Sequence, residues 1–192
     1  MLRRTLIGLV AIGILASLMG IGGFSLFTDF AENGENDFTS GSVEISATPA
    51  SDFLNMSNMA PGDSQTAELT VDNDGTLQMR YAMTTTTTDE DLLHLDDALM
   101  LEIRTLGTDC DAFDGSQLYP PLPTPTGTLA DGFIGDPGPG GDPGDQTVDV
   151  GDHEHLCFKV TLPEDAIGPM EASTTATFRF DAEQTTNNPD NP

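Results

Sequence analysis

One local motif combines residue types that bind metal ions, namely His153-Glu154-His155. Two histidines at positions i and i+2 of a β-strand project from the same face, so both imidazoles can reach one ion. A zinc site needs a third ligand, and His94 is the remaining histidine of the chain. The helical His-Glu-x-x-His arrangement, which supplies two ligands and a general base, is absent. We therefore predict no catalytic residue and no metal site, and interpret the motif as an exposed loop before a strand.

Two acidic turns are the next candidates, because oxygen-rich turns suit calcium. The second turn lacks the regular Asp-x-Asp-x-Asp-Gly spacing of a calcium loop, and a chain with 32 acidic residues forms such clusters by chance. Solvated turns are the default interpretation and no cofactor is predicted, with structural calcium as the alternative. The candidate ligands are Asp72, Asp74, Asp109, Asp111 and Asp114.

The composition is strongly acidic, with 32 Asp and Glu against 6 Lys and Arg and a formal net charge of -26. Such a surface repels nucleic acid and anionic lipid, so neither is predicted as a partner. The sequence also offers no Gly-rich phosphate loop after a strand, no Ser-His-Asp set in a recognisable context and no Trp. Many acids with little lysine keep a surface hydrated at high salt, where self-repulsion is screened, so a halophilic source is expected.

The amino terminus has the pattern of an export signal. Residues 1–4 form a short basic stretch, residues 5–21 are nearly all apolar, and Gly23 and Ser25 are small residues where a signal peptidase reads the chain. We predict a signal peptide over residues 1–25 and a mature chain that begins at Leu26. A retained transmembrane anchor is the alternative, because the apolar run is almost long enough to span a bilayer. The pair Arg3-Arg4 also fits a loose twin-arginine signal.

An exported chain meets an oxidising environment, which predicts that its two cysteines, Cys110 and Cys157, form a disulfide. The chain-entropy estimate for a loop of this size is about 4 kcal/mol of stabilisation, from which native strain subtracts. A free catalytic cysteine is the alternative, but neither residue has a convincing histidine partner and base nearby in the sequence.

Alternation of apolar and polar residues predicts short strands separated by turns along most of the chain. Residues 64–86 are predicted to form a hairpin with its turn at residues 72–75, and the threonine run at 84–88 extends the second strand. The chain length allows one domain, for which an antiparallel two-sheet sandwich is expected. Further strands are predicted at 101–105, 156–162 and 176–182, one helix at 89–99, and a Gly/Pro/Asp-rich surface excursion without a core at 107–151, with a short strand at 127–133.

Four segments in two ordered stretches of the sequence carry a family pattern: 27–29 (FTD), 36–46 (NDFTSGSVEIS), 56–63 (MSNMAPGD) and 71–77 (VDNDGTL). They resemble the TasA/camelysin family, secreted proteins that the SipW type of signal peptidase processes. The two stretches stand at a spacing that the family also shows and together cover roughly residues 20–83, whereas residues 84–152 carry no such match. Residues 178–182 fit the last strand of the family more loosely.

The resemblance implies an all-β fold, a two-sheet antiparallel jelly-roll sandwich with long loop insertions after the N-terminal signal peptide. It also implies a secreted structural subunit of an extracellular filament, either a biofilm matrix fibre or a pilus, assembled head to tail by donor-strand complementation. Residues 26–41 would then be the donor segment, residues 42–184 the sandwich and residues 185–192 a disordered tail. The polymerisation residues would be Leu26, Phe27, Phe30 and Phe38.

The partners expected from the resemblance are further copies of this chain and the signal peptidase, with membrane contact only through the signal peptide before cleavage. Two alternatives stay open. One is a monomeric cell-surface adhesion or accessory domain retained by its apolar amino terminus. The other is a secreted metallopeptidase of camelysin type, since relatives in the family have been described as metallopeptidases.

Overall fold

The computed structural model describes residues 39–51, 53–88, 94–166 and 172–188. The chain divides into two units after Thr39, and the fold described below is that of the second unit, Ser40–Pro192. The predicted signal peptide, its cleavage point, the alternative anchor and the donor residues Leu26, Phe27, Phe30 and Phe38 lie outside the described residues. Within the described ranges, no helix is long and apolar enough to cross a membrane.

The regular secondary structure of the described residues is almost entirely β-strand, and every strand pairing is antiparallel. Among the described residues, one short helix, α1, covers Leu95–Ala98. The strands are β1 (Ile45–Thr48), β2 (Ser64–Asn73), β3 (Met79–Thr87), β4 (Met100–Thr105), β5 (Gln117–Tyr119), β6 (Gly127–Thr128), β7 (Phe133–Ile134), β8 (Gln146–Val148), β9 (His153–Thr161) and β10 (Ala176–Gln184).

The strands form two sheets. The first has the order β1-β2-β9-β4-β5, and β6 also pairs with β4. The second has the order β10-β3-β7, and β8 also pairs with β3. In the first sheet β9 is flanked by β2 and β4, and its register with β2 sets Leu69 opposite Leu156 and Thr70 opposite His155. The predicted all-β fold with two antiparallel sheets is therefore present.

Alternation along the strands creates one hydrophobic core to which both sheets contribute. Leu69 and Val71 of β2 and Leu156 and Phe158 of β9 point inward, while the polar residues between them point outward. The predicted inner face of β10 is only half-buried. The buried core residues are Leu69, Val71, Met79, Tyr81, Met83, Leu99, Leu101, Ile103, Tyr119, Leu129, Ile134, Val148, Leu156, Phe158, Val160 and Leu162.

The predicted hairpin at residues 64–86 is wrong, because β2 and β3 belong to different sheets. The alternating pattern is correct for both strands. It specifies which face of each strand is buried, but not which other strand pairs with it. The chain crosses between the sheets after Asn73. Close approach there requires glycine at position 75, where a Cβ atom would lie 2.6 Å from the Ser42 carbonyl oxygen.

The Asn73 side chain holds this crossing in place. It is 1% exposed, and its Nδ2 donates to the carbonyl oxygens of Leu77, Val148 and Asp149 at 3.0, 3.0 and 3.2 Å. Its Oδ1 accepts a hydrogen bond from the Gly75 backbone N–H at 3.0 Å. One amide thus satisfies backbone groups of the crossing and of β8, which pairs in the second sheet.

Two other sequence predictions need correction. Of the predicted helix at 89–99, only Leu95–Ala98 is helical among the described residues, and 89–93 lie outside them. The excursion at 107–151 was expected to build no core, yet it supplies β5 to β8 and buries Tyr119, Leu129, Ile134 and Val148. Isolated apolar residues among prolines and glycines escape a periodicity analysis, although each can still fill space between two sheets.

Cys110 and Cys157 form a disulfide with a Cα–Cα distance of 5.3 Å and a sequence separation of 47. Close by, the Phe113 ring lies 5.2 Å from the Arg104 guanidinium carbon and 5.5 Å from the Lys159 Nζ atom. Both cations attract the face of the aromatic ring. The disulfide and this contact attach the start of the excursion to β4 and β9.

Two residues of the predicted tail also contact the body of the fold. Thr185 Oγ1 donates to Gln78 Oε1 at 2.6 Å, and Asn188 Nδ2 donates to Glu183 Oε2 at 2.6 Å. Residues 189–192 lie outside the described part of the chain.

Replacement of Asn73 by alanine should destabilise the fold, because the carbonyl groups of Leu77, Val148 and Asp149 and the Gly75 N–H then lose their hydrogen-bond partner. We expect the free energy of unfolding to fall by about 2–4 kcal/mol in chemical denaturation. The exposed Asn55→Ala variant is the control and should unfold like the wild type. Equal stability of Asn73→Ala and wild type would contradict the role assigned to Asn73.

Candidate functional site

The His153-Glu154-His155 motif forms the beginning of β9 rather than the predicted loop before it. Alternation along β9 separates the three side chains: Leu156 and Phe158 face the core, so Glu154 shares their face and the two histidines point outward. The strand was predicted at 156–162 from its apolar residues. It begins earlier, at His153, because the outward-facing histidines continue the alternating pattern with polar residues. We call His153 and His155 the histidine pair.

His155 is held by two side chains of the neighbouring strand. Its Nδ1 lies 2.7 Å from Glu68 Oε1 and 3.0 Å from Thr70 Oγ1. A carboxylate accepts hydrogen bonds and does not donate them, so we assign the proton to Nδ1 and a lone pair to Nε2 of the neutral ring. Glu68 and Thr70 thus orient the imidazole and select its tautomer.

His153 completes the pair from a more exposed position. The centres of the two imidazole rings are 4.8 Å apart, with an interplanar angle of 81°. The β2 residue directly opposite His153 is Asp72. The outer face of β2 and β9 therefore carries two adjacent imidazoles beside two carboxyl groups.

Glu154 points to the opposite side of the sheet and meets the core. The hydroxyl of the buried Tyr81 donates to Glu154 Oε2 at 2.6 Å. Burial raises the pKa of Glu154, and the Tyr81 hydrogen bond offsets part of that rise. Burial, together with the charge and the hydrogen bond of Glu154, also raises the pKa of Tyr81 well above its usual range. The contact links β9 in the first sheet to β3 in the second.

The described residues contain one group of three potential metal ligands whose candidate atoms all lie within 4.8 Å of one another: His94, Asp96 and Asp97. This group lies at α1, with His94 just before the helix and both aspartates within it, and does not include the histidine pair. The buried Asp96 Oδ2 already accepts a hydrogen bond from Thr87 Oγ1 at 2.5 Å. His94 consequently does not provide the third ligand that a zinc site at the histidine pair would need.

The number of protein ligands at the histidine pair decides whether a catalytic zinc ion fits there. Catalytic zinc sites use three protein ligands and leave one position for water. Among the described residues, no third His, Cys, Asp or Glu side chain joins the histidine pair with all three ligand atoms within 4.8 Å of one another. Glu68, which could act as a base, is already engaged with His155. Within the described part of the chain, the ligand set needed for metal-assisted peptide hydrolysis is therefore incomplete at the histidine pair.

The calcium candidates from the two acidic turns do not gather into a site within the described chain. Several of them instead accept hydrogen bonds from groups of the same turn or of β1. Asp114 accepts hydrogen bonds from the N–H and hydroxyl of Thr108, and these bonds lower its pKa. Asp109 Oδ1 accepts the Ala112 N–H at 2.7 Å, and Asp74 Oδ2 accepts the Ser46 hydroxyl at 2.6 Å. Asp72 lies opposite His153 of β9, and Asp111 follows the disulfide-bonded Cys110.

The free edge of β10 is a second candidate site. Among the described residues β10 pairs only with β3, so backbone groups along its other edge have no strand partner. The inner aromatic residues of β10 are half-buried: the Phe178 ring lies 5.0 Å from that of Phe158 and 5.6 Å from that of Phe53, and Phe180 lies 5.8 Å from Tyr81. This edge combines unpaired backbone with incompletely covered apolar side chains.

Sequence reasoning identified the histidine pair but missed its neighbours on β2 and the inward role of Glu154. The polar face of β2 was visible in its alternation, so Glu68 and Thr70 could be placed on a face. Their contact with His155 could not be predicted, since it depends on the pairing of two strands that are about 85 residues apart.

The pH dependence of stability tests the Glu154 contact. The folded pKa of Glu154 is raised, so its contribution to stability is fully present below the unfolded pKa and is lost as pH rises through the folded pKa. Glutamine does not titrate but still accepts the Tyr81 hydroxyl. We therefore expect Glu154→Gln to gain stability relative to wild type as pH rises from about 4 to about 8, measured by denaturation at each pH. The exposed Glu164→Gln variant controls for loss of one charge, and equal slopes for Glu154→Gln and wild type would contradict the argument.

Comparison with known families identifies where this chain belongs. A family model described as camelysin metallo-endopeptidase matches residues 1–99, and no curated protein matches the chain. The matched region includes β1 to β3 and the Asn73 crossing, and it ends before the histidine pair. The match spans more than half of the chain and agrees with the resemblance drawn from residues 27–77. The chain therefore belongs to the camelysin family, the family of TasA.

Proposed function

We propose that this chain is a secreted structural subunit that polymerises into extracellular filaments by donor-strand complementation. The observation that carries the proposal is the edge of β10 that has no strand partner among the described residues; β10 is nine residues long, with half-buried Phe178 and Phe180 on its inner face. A strand added along such an edge gains main-chain hydrogen bonds and covers apolar side chains at the same time. Exposed edges of this kind are otherwise an aggregation hazard.

The proposed donor is the amino-terminal segment of another copy, residues 26–38. It is long enough to pair along all of β10, and it contains Phe27, Phe30 and Phe38. Phe30 and Phe38 are separated by an even number of residues, so in an extended strand they project from the same face. That face would pack beside Phe178 and Phe180, and the spacing of the aromatic residues would set the register.

The proposed assembly is head to tail, since donor and acceptor are different surfaces of one subunit. A contact of this type does not close on itself and so generates filaments. The net charge of -26 opposes close approach of subunits, and salt screens that repulsion. Residues 1–25 would serve as the signal peptide and leave the mature protein, and the jelly-roll form of the sandwich remains part of this proposal. The partners in this proposal are further copies of the chain and the signal peptidase, and nucleic acid has no role in it.

Removal of residues 26–38 should abolish filaments, because each subunit then has an acceptor edge but no donor. We expect the secreted wild-type protein to form filaments in negative-stain electron microscopy, more readily at high salt than at low salt, and the deletion variant to remain monomeric. Deletion of residues 189–192 is the control and should leave filaments unchanged. An excess of synthetic peptide 26–38 should shorten wild-type filaments, whereas a scrambled peptide should not.

Identical filaments from the variant without residues 26–38 would overturn the donor assignment. A wild-type protein that is cleaved after Ser25 yet stays monomeric in every salt condition would favour the adhesion or accessory domain. Mass spectrometry of the amino terminus distinguishes that case from a retained anchor, which would keep the segment up to Ile21 on the mature protein.

The second candidate is a secreted metallopeptidase, which the description of the family as a metallo-endopeptidase favours. We propose instead that the chain is not an enzyme, and the incomplete donor set at the histidine pair supports this. The expected outcome is no cleavage of casein by the purified protein, with or without added zinc. Casein cleavage that EDTA abolishes and that His153→Ala removes would establish the peptidase and overturn this part of the proposal.

A further inference from the structure

The outer face of β2 and β9 carries a feature that filament formation does not use. We propose that His153 and His155 bind one divalent transition-metal ion there, with the Glu68 carboxylate orienting His155 and solvent occupying the remaining coordination positions. The site is distinct from the free edge of β10, because it lies on the other sheet.

The separation of the rings fits a shared ion. Two imidazoles that bind one tetrahedral metal ion, each with a metal–nitrogen distance of about 2.0–2.1 Å, have ring centres roughly 5 Å apart. The ring centres of the histidine pair are 4.8 Å apart. Binding therefore needs rotation of the exposed His153 ring but little movement of the backbone, since Glu68 already orients His155.

The hydrogen bonding of His155 fits the role of a ligand. Histidines that bind metals usually donate their second ring N–H to a carboxylate or a carbonyl group, which fixes the tautomer and makes the coordinating nitrogen more basic. The contact between His155 Nδ1 and Glu68 Oε1 at 2.7 Å is of this kind and leaves Nε2 to coordinate. Asp72, opposite His153, adds a second carboxyl group that favours a cation electrostatically.

The scaffold around the pair is rigid. β9 pairs with β2 along all of His153–Thr161 and with β4 from Leu156 onward, and the His155 carbonyl oxygen also accepts the Leu106 N–H at 2.9 Å. A chelate built on a strand held in this way loses little conformational entropy when an ion binds. Imidazole ligands select zinc, nickel and copper over calcium and magnesium, which prefer oxygen ligands.

Isothermal titration calorimetry of the full secreted protein with NiCl₂ and with ZnCl₂ tests the proposal. We expect one ion per chain for each metal, and no comparable binding of CaCl₂ at this site. His153→Ala and His155→Ala should each weaken nickel binding by about tenfold or more, and Glu68→Gln should weaken it by roughly tenfold without removing a ligand. Circular dichroism of each variant checks that the exposed substitutions leave the fold intact.

His94→Ala is the matched control, since it removes the other histidine of the chain and should leave the affinity unchanged. Three results would overturn the proposal: no binding of either metal to the wild type, unchanged binding after both His153 and His155 are replaced, or loss of binding in His94→Ala. The last result would assign the metal to the group around α1 instead. None of these outcomes depends on whether the protein forms filaments.

Discussion

The side-chain amide of Asn73 is the interaction on which the two-sheet arrangement most depends. The chain leaves the first sheet at the end of β2 and enters the second as β3. Hydrogen bonds between strands within one sheet therefore cannot pair all the backbone groups at the crossing. Asn73 ends β2 in the first sheet, donates to the carbonyl groups of Leu77 and of Val148 in β8, and accepts from Gly75. Because the Asn73 side chain is buried, these hydrogen bonds fix the point where the chain passes from the first sheet to the second.

Strand β9 combines several roles because its two faces meet different surroundings. Its inner face supplies Leu156 and Phe158 to the core, and Glu154 on the same side hydrogen bonds to Tyr81 across the sandwich. Its outer face carries the histidine pair, with His155 oriented by β2. Burial of a carboxyl group in that position costs stability at neutral pH unless it stays protonated or keeps its partner. A strand with pairing on both sides can hold such groups in defined positions.

The four cations beyond residue 28 are all used within the fold. Arg80 pairs with Glu183, Arg104 with Glu102, and Arg179 with Asp181, while Lys159 lies over the Phe113 ring. Each pair is partly exposed and contributes modestly to stability. The consequence for association is larger: the surface left for other molecules is acidic, so self-assembly must rely on backbone hydrogen bonds and apolar contacts. An edge strand offers both.

The sequence by itself determined that this chain is a β-protein, since alternating residues identify β2, β3, β9 and β10 and their buried faces. Its short motifs also determined the family, and with two cysteines in the chain only one intramolecular disulfide is possible. Tertiary structure alone decided that β2 pairs with β9 rather than β3, that residues 107–151 contribute to the core, and that Glu68 lies against His155. The physical reason is that alternation specifies which face of a strand is buried, whereas backbone hydrogen bonds are nearly the same for every partner strand. The choice of partner follows from side-chain packing across the whole core, which no local pattern contains.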